Sequence, residues 1–200
     1  QGFGNVGGFM AEIITKMGYT VVSVSDSKSG IYNAKGLDYR QVLEYKEKKG
    51  AMKDYPNAKN ISNEELLESE CDVLVPAALE NQITKDNAVR IKAKVIIELA
   101  NGSTTPEADD ILDRNKVLVV PDVLANAGGV VVSYFEWVQN SMNFYWSEKE
   151  VLDRLKTYMT NAVKELAKVC NDFKCDMRAS LYINSVKKIL EAERLRGNLK

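Results

Sequence analysis

Short β-branched runs alternate with amphipathic segments from the start of the chain to about residue 120. After Pro121 they give way to long stretches whose apolar residues recur at helical spacing. The runs at Thr20 to Ser25, Asp72 to Pro76, Lys94 to Leu99 and Val117 to Val120 are mostly apolar, as suits strands covered on both faces. Between the runs lie helices. Phe9, Ile13, Ile14 and Met17 share one apolar helix face that closes at Gly18, and Ser62 with Glu65 and Ser147 with Glu150 fit the capping box that opens a helix. Thr105-Pro106 marks another helix start, and the last third reads as three helices at about 126 to 143, 148 to 173 and 177 to 196. The stretches Ser27 to Gly36 and Asp54 to Asn60 read as loops. This rhythm predicts an α/β fold with a mostly parallel sheet and a helical C-terminal tail.

Composition narrows the function classes. Of 200 residues, 45% are apolar and 28% charged, and the formal net charge is -1, so nucleic-acid binding has no electrostatic drive. Lysines alternate with acids, as in Glu44-Tyr45-Lys46-Glu47-Lys48-Lys49, the pattern of a solvated helix face. No apolar run is long enough to span a bilayer and no secretory leader opens the chain, which makes the cytoplasm the expected compartment. Cys71, Cys170 and Cys175 form neither an even set nor a C-x-x-C pair, so they read as reduced core residues. With no histidine, the usual general base and the commonest metal ligand are missing, and no metal site is expected.

Gly2-Phe3-Gly4-Asn5-Val6-Gly7 matches G-x-G-x-x-G and runs directly into the first helix. The first two glycines permit a tight turn and close approach of backbone to a pyrophosphate, and the third lets helix pack on strand. A glycine turn that binds nothing gives the same pattern, so the motif needs company. Asp26 supplies it, ending the second strand about twenty residues on, where a carboxylate accepts from adenosine ribose hydroxyls. Its alternative is a turn residue in Asp26-Ser27-Lys28-Ser29-Gly30. Ser27 and Lys28 could hold a 2'-phosphate, so NAD and NADP both stay open, with NAD slightly favoured. Small and amide residues follow the later strands at Pro76-Ala77-Ala78, Asn101-Gly102 and Asp122 to Asn126, either lining a ligand crevice or merely turning the chain. The fold is therefore expected to be Rossmann-like and doubly wound, with helices on both faces. Because no strand precedes the glycine turn, the first strand is expected upstream of Gln1. Residues 1–145 are expected to form the dinucleotide-binding domain, and 146–200 helices that pack back on it and toward a substrate domain outside this chain.

The ordered motifs Gln1-Gly2-Phe3-Gly4-Asn5-Val6-Gly7, Ser25-Asp26-Ser27-Lys28-Ser29-Gly30-Ile31-Tyr32, Cys71-Asp72-Val73-Leu74-Val75-Pro76-Ala77-Ala78, Ala100-Asn101-Gly102 with Thr104-Thr105-Pro106-Glu107-Ala108-Asp109, and Pro121-Asp122 with Asn126-Ala127-Gly128-Gly129-Val130 resemble the glutamate/leucine/phenylalanine/valine dehydrogenase family. The resemblance covers nearly the whole chain. Ser133-Tyr134-Phe135-Glu136-Trp137 with Gln139-Asn140 resembles its glutamate-specific members.

That resemblance implies roles. Gly4, Asn5 and Val6, with Gly2 and Phe3 in the same turn, would cradle the pyrophosphate, and Asp26 would meet the adenosine ribose. Ala77, Ala78 and Asn101 would line the cofactor cleft, and Asn126 would approach the nicotinamide. Ser133, with Val130 nearby, would read the side-chain carboxylate of glutamate. A helical serine bonding back to its own carbonyls is the other reading of Ser133. Tyr134, Phe135 and Trp137 read as helix-packing residues. The implied reaction converts L-glutamate, water and NAD or NADP to 2-oxoglutarate, ammonia and reduced cofactor in a homo-hexamer. The family's catalytic lysine and aspartate belong to an amino-terminal substrate domain, and no residue here matches either. A non-catalytic NAD-binding regulatory module and a leucine or phenylalanine dehydrogenase domain are the alternatives.

Overall fold

Residues 1–199 are described by a computed structural model whose elements fall into two units, Gln1–Asp122 and Val123–Lys200. The first unit opens with the glycine turn and helix α1 (Asn5–Lys16). Strands β1 (Ser23–Ser25), β2 (Gly30–Tyr32) and β3 (Lys59–Ile61) form an antiparallel sheet in that order, with Ser25 opposite Gly30 and Gly30 opposite Ile61. Helix α2 (Tyr39–Lys49) lies between β2 and β3 in sequence, and α3 (Asn63–Leu67) follows β3. Strands β4 (Val73–Leu74), β5 (Val95–Ile97) and β6 (Leu118–Val120) form a parallel sheet in the order β4-β5-β6. Parallel neighbours need a crossover, which α4 (Pro106–Arg114) provides between β5 and β6.

Residues 1 to 3 tie the two sheets together. The Gln1 amino group donates to the Val75 carbonyl at 2.9 Å, and the Ala77 amide donates to the Gln1 carbonyl at 2.8 Å. On the other side, the Gly2 and Phe3 amides both donate to the Ser25 carbonyl, at 2.9 and 2.6 Å. The result is the expected Rossmann-like α/β arrangement, with strands at all four expected runs, but the expected parallel pairing is confined to β4, β5 and β6, since β1 pairs antiparallel with β2 in a separate sheet. Strands β2 and β3 fall in stretches read as loops. Three residues are too few for alternation to register, and Lys59 and Asn60 lie exposed.

Two cores support the unit. Phe3, Val24, Ile31, Val42 and Met52 pack together on one side, and Leu66, Leu74, Ile83, Ile96 and Leu112 on the other. Helix α1 contributes Gly8 and Ala11, small residues that let it approach closely, with Ile14 partly buried. The expected apolar face therefore does not pack as a whole: Phe9 is 65% exposed, and Ile13 and Met17 are exposed too.

The caps form as the sequence implies. Ser62 and Ser147 complete reciprocal boxes with Glu65 and Glu150, and the Thr105 side chain accepts from the Ala108 amide. The division between units falls within the short helix α5 (Asp122–Ala125). The second unit contains α6 (Ala127–Met142), α7 (Glu148–Phe173) and α8 (Met177–Leu195), close to the expected limits. Phe135, 2% exposed, meets Trp146 and Tyr158 edge-on at 5.6 and 5.4 Å. Tyr134 and Trp137, read from the sequence as packing residues, are instead exposed, because only one of three such positions on α6 can face α7. No helix among the described residues is long and apolar enough to cross a membrane.

Candidate functional site

Each glycine of the opening turn has its own reason. Gly2 takes φ 89°, and a Cβ there would come within 2.6 Å of the Ala77 carbonyl oxygen. At Gly7 a Cβ would come within 2.0 Å of the Gly2 carbonyl oxygen, so the helix can start only if this residue has no side chain. Gly4 differs. It caps α1 at φ -94°, open to any residue, and a Cβ there would meet nothing within 4 Å. Two glycines are thus needed by the fold, and the third leaves space in front of the helix start.

That helix start suits an anion. No side chain caps it and its first turn holds no acid, so the macrodipole and the unpaired amides of the first turn are left for a ligand. Asn5 and Val6 lie exposed beside it, whereas the Phe3 side chain belongs to the core and only its backbone faces the turn. Between α1 and α2 runs a groove of about 480 Å³, lined by Gly4, Asn5, Phe9, Leu43, Lys46 and Gly50 among others.

Asp26 follows β1 beside this turn. Its Oδ1 accepts from the Lys28 amide at 2.8 Å and the Ser29 amide at 3.1 Å, so the turn role allowed by the sequence is realised. Burial raises its carboxyl, but those two amides and the Lys46 ammonium outweigh that and hold it below the usual carboxylate range. Asn63 fixes the end of β1: it accepts from the buried Ser25 hydroxyl at 2.6 Å and donates to the Asp26 carbonyl at 3.1 Å. Ser27 and Lys28 are exposed, and the Lys28 ammonium donates to the Gly50 carbonyl at 3.0 Å.

Lys46 was not singled out by the sequence pattern, which placed it on a solvated face. Its ammonium donates to the Phe3 carbonyl at 2.8 Å and lies 3.4 Å from Asp26 Oδ2. Helical spacing from the buried Tyr39 and Val42 puts Lys46 on the inward side of α2, a signal in the sequence that charge patterning obscured.

The later strand ends join the same place through backbone. Ala77 and Ala78 adjoin Gly2, and the Leu99 and Ala100 amides donate to the Pro76 carbonyl at 2.9 and 3.0 Å, bringing the exposed Asn101 beside that strand end. Fully buried Glu98 and the neighbouring Asp122 complete this edge; Asp122 lies in the strand-end stretch expected to line a crevice or turn the chain, whereas Glu98 had no expected role. Gly2, Phe3, Gly4, Asn5, Val6, Asp26, Ser27, Lys28, Ala77, Ala78 and Asn101 therefore cluster within the first unit.

In the second unit, Asn126 stands at the N-cap of α6. Val130, 73% exposed, and Ser133 share a helix face with the exposed Tyr134 and Trp137, whose rings stack 6.0 Å apart. That face is largely apolar, its polar groups being the Ser133 and Tyr134 hydroxyls and the Trp137 indole N–H.

A family model described as Glutamate/Leucine/Phenylalanine/Valine dehydrogenase matches residues 1–197. A glutamate dehydrogenase of Thermotoga maritima is 50% identical over 198 residues, which are 98% of this chain and 48% of that protein. The cryptic catabolic NAD-specific glutamate dehydrogenase of Bacillus subtilis is 47% identical, over 98% of this chain and 46% of its own length. Among solved structures, the leucine-bound hetero-hexameric glutamate dehydrogenase of Thermus thermophilus superposes with a TM-score of 0.91 at 35% identity, covering 98% of this chain and 46% of that one. The chain spans about half the length of the curated relatives it matches.

Proposed function

The chain belongs to the glutamate/leucine/phenylalanine/valine dehydrogenase family, and from that premise we propose that it is the nicotinamide-dinucleotide-binding part of a glutamate dehydrogenase. The observation that carries this reading is the open space at Gly4, in front of an uncapped helix start and beside Asp26. A glycine that neither packing nor backbone angle demands is the feature a pyrophosphate approaching the backbone would require.

In this reading the first amides of α1 bind the pyrophosphate, while Asp26 accepts from the adenosine ribose. Ala77, Ala78 and Asn101 line the cleft, with Asn126 toward the nicotinamide end. A dinucleotide held there would supply the hydride acceptor for the α-carbon of glutamate, and uptake of one water by the oxidised substrate would give 2-oxoglutarate and ammonia. Ser133 and Val130 would receive the substrate side chain. The lysine and aspartate that activate water and move protons would come from outside this chain, and a homo-hexamer is the proposed assembly. NAD is favoured over NADP: Asp26 repels a 2'-phosphate, and two relatives from Bacillus subtilis are NAD-specific.

Assaying the intact protein tests this. Glutamate-dependent reduction of NAD, far above that with leucine or phenylalanine, is expected. Dinucleotide binding without turnover of any amino acid would favour a regulatory module instead.

A further inference from the structure

The loop from Leu99 to Ser103 carries Asn101 and is held on two sides by different means. Toward β4 it is held by backbone: the Leu99 and Ala100 amides donate to Pro76, and the Gln82 and Ile83 amides donate to Ser103. Toward β6, two carboxylates do the holding. Glu98 Oε1 accepts from the Ser103 hydroxyl at 3.0 Å, and its Oε2 accepts from the Asp122 amide at 3.1 Å. Asp122 Oδ2 in turn accepts from the Gly102 amide at 2.8 Å.

The position of Glu98 is not one that packing would choose. Strand alternation puts it on the side of Ile96, and both are 0% exposed. A carboxylate taken out of water costs stability unless its oxygens are bonded, and an apolar residue of similar volume would avoid that cost. What a carboxylate offers here is two acceptors at once, one for a hydroxyl and one for a backbone amide. Gly102, at φ 58°, is held by the second carboxylate and is the residue after Asn101.

We propose that Glu98 and Asp122 are positioning residues, which fix the loop so that Asn101 is presented to the dinucleotide. This rests on the reading of Asn101 as a cofactor-cleft residue. The two carboxylates act on the cofactor only through the loop. Asp122 sets Gly102, while Glu98 sets both the Asp122 amide and Ser103.

The test is calorimetric titration of the intact protein with NAD, alongside thermal unfolding. Asp122→Ala is expected to weaken NAD about tenfold, the equivalent of losing one hydrogen bond to a charged group. Asp122→Asn, which keeps an oxygen for Gly102, should bind within about twofold of the parent. Glu98→Gln, which keeps the volume and loses one acceptor, should weaken NAD by about threefold, so the proposal does not hang on one variant. Asn101→Ala combined with Asp122→Ala should bind no worse than the weaker single variant, because both remove one contact. A lowered Tm with unchanged NAD affinity in Asp122→Ala would overturn the positioning role, as would effects that multiply in the double variant. If Asn101→Ala alone binds NAD normally, the reading of Asn101 itself fails and the positioning role falls with it.

Discussion

The Lys46 ammonium lies 3.4 Å from the Asp26 carboxylate while donating to the Phe3 carbonyl at 2.8 Å, so one side chain bridges the glycine turn and the end of β1. Only 12% of the Asp26 side chain is open to solvent. If Asp26 meets a ribose as proposed, the charge it offers is partly compensated, and cofactor choice should depend on the pair rather than on Asp26 alone.

Two substitutions should move that choice in opposite directions. Lys46→Met leaves Asp26 uncompensated and should shift the kcat/KM ratio toward NAD by about fivefold, a modest figure because the pair is partly exposed. Asp26→Ser removes the repulsion toward a 2'-phosphate and should shift the ratio toward NADP by about tenfold. Steady-state kinetics with both cofactors reads this out. A shift in the same direction for both would show that the two groups do not act as a pair.

Acid should reveal the same carboxylate. Its pKa is lowered in the folded protein, burial acting against the change and the Lys28 and Ser29 amides and Lys46 producing it. The folded state therefore binds the proton less well than the unfolded chain. The stability this contributes is fully present above the ordinary carboxyl value of 3.8 and is lost as pH falls through the lower folded value. Denaturant unfolding of the parent and Asp26→Asn across that window should show the difference between them shrinking as pH falls. A difference that grows instead would mean the carboxyl is raised.

Much of this was legible in the sequence for physical reasons. The glycine turn, the four apolar runs and the Ser and Thr caps are local signals, each fixed by a few adjacent residues, and they lie where the pattern put them. Strands β2 and β3 were not legible, because three-residue strands are stabilised by their neighbours rather than by their own alternation. The inward turn of Lys46 and the burial of Glu98 also escaped. Both residues are charged, and only their register with Val42 and Ile96 reveals the side they face. The exposure of Phe9 shows the converse, since small Gly8 and Ala11 took the packing side of α1.

Ser133 carries the substrate argument. It stands exposed on α6 with Val130, as the one aliphatic hydroxyl on a largely apolar face that also carries Tyr134 and Trp137. Ser133→Ala in the intact protein should lower kcat/KM for glutamate by about ten- to a hundredfold, the range for one hydrogen bond to a charged group, and leave norvaline little changed. Equal losses on both substrates would assign the serine to the helix instead of to the carboxylate.

The central claim is that the turn at Gly4 receives a dinucleotide, and Gly4→Ala separates binding from folding because the added methyl meets nothing in the protein. Calorimetric titration of the parent and this variant with NAD, without glutamate, reads it directly. The parent should bind at millimolar or lower concentration, and Gly4→Ala should unfold at about the same temperature while binding at least roughly tenfold more weakly, since a methyl would stand where the pyrophosphate approaches. Gly7→Ala, by contrast, should lose stability, because its methyl would collide with the Gly2 carbonyl. Unchanged NAD affinity in a stably folded Gly4→Ala variant, or no binding by the parent, would contradict the claim.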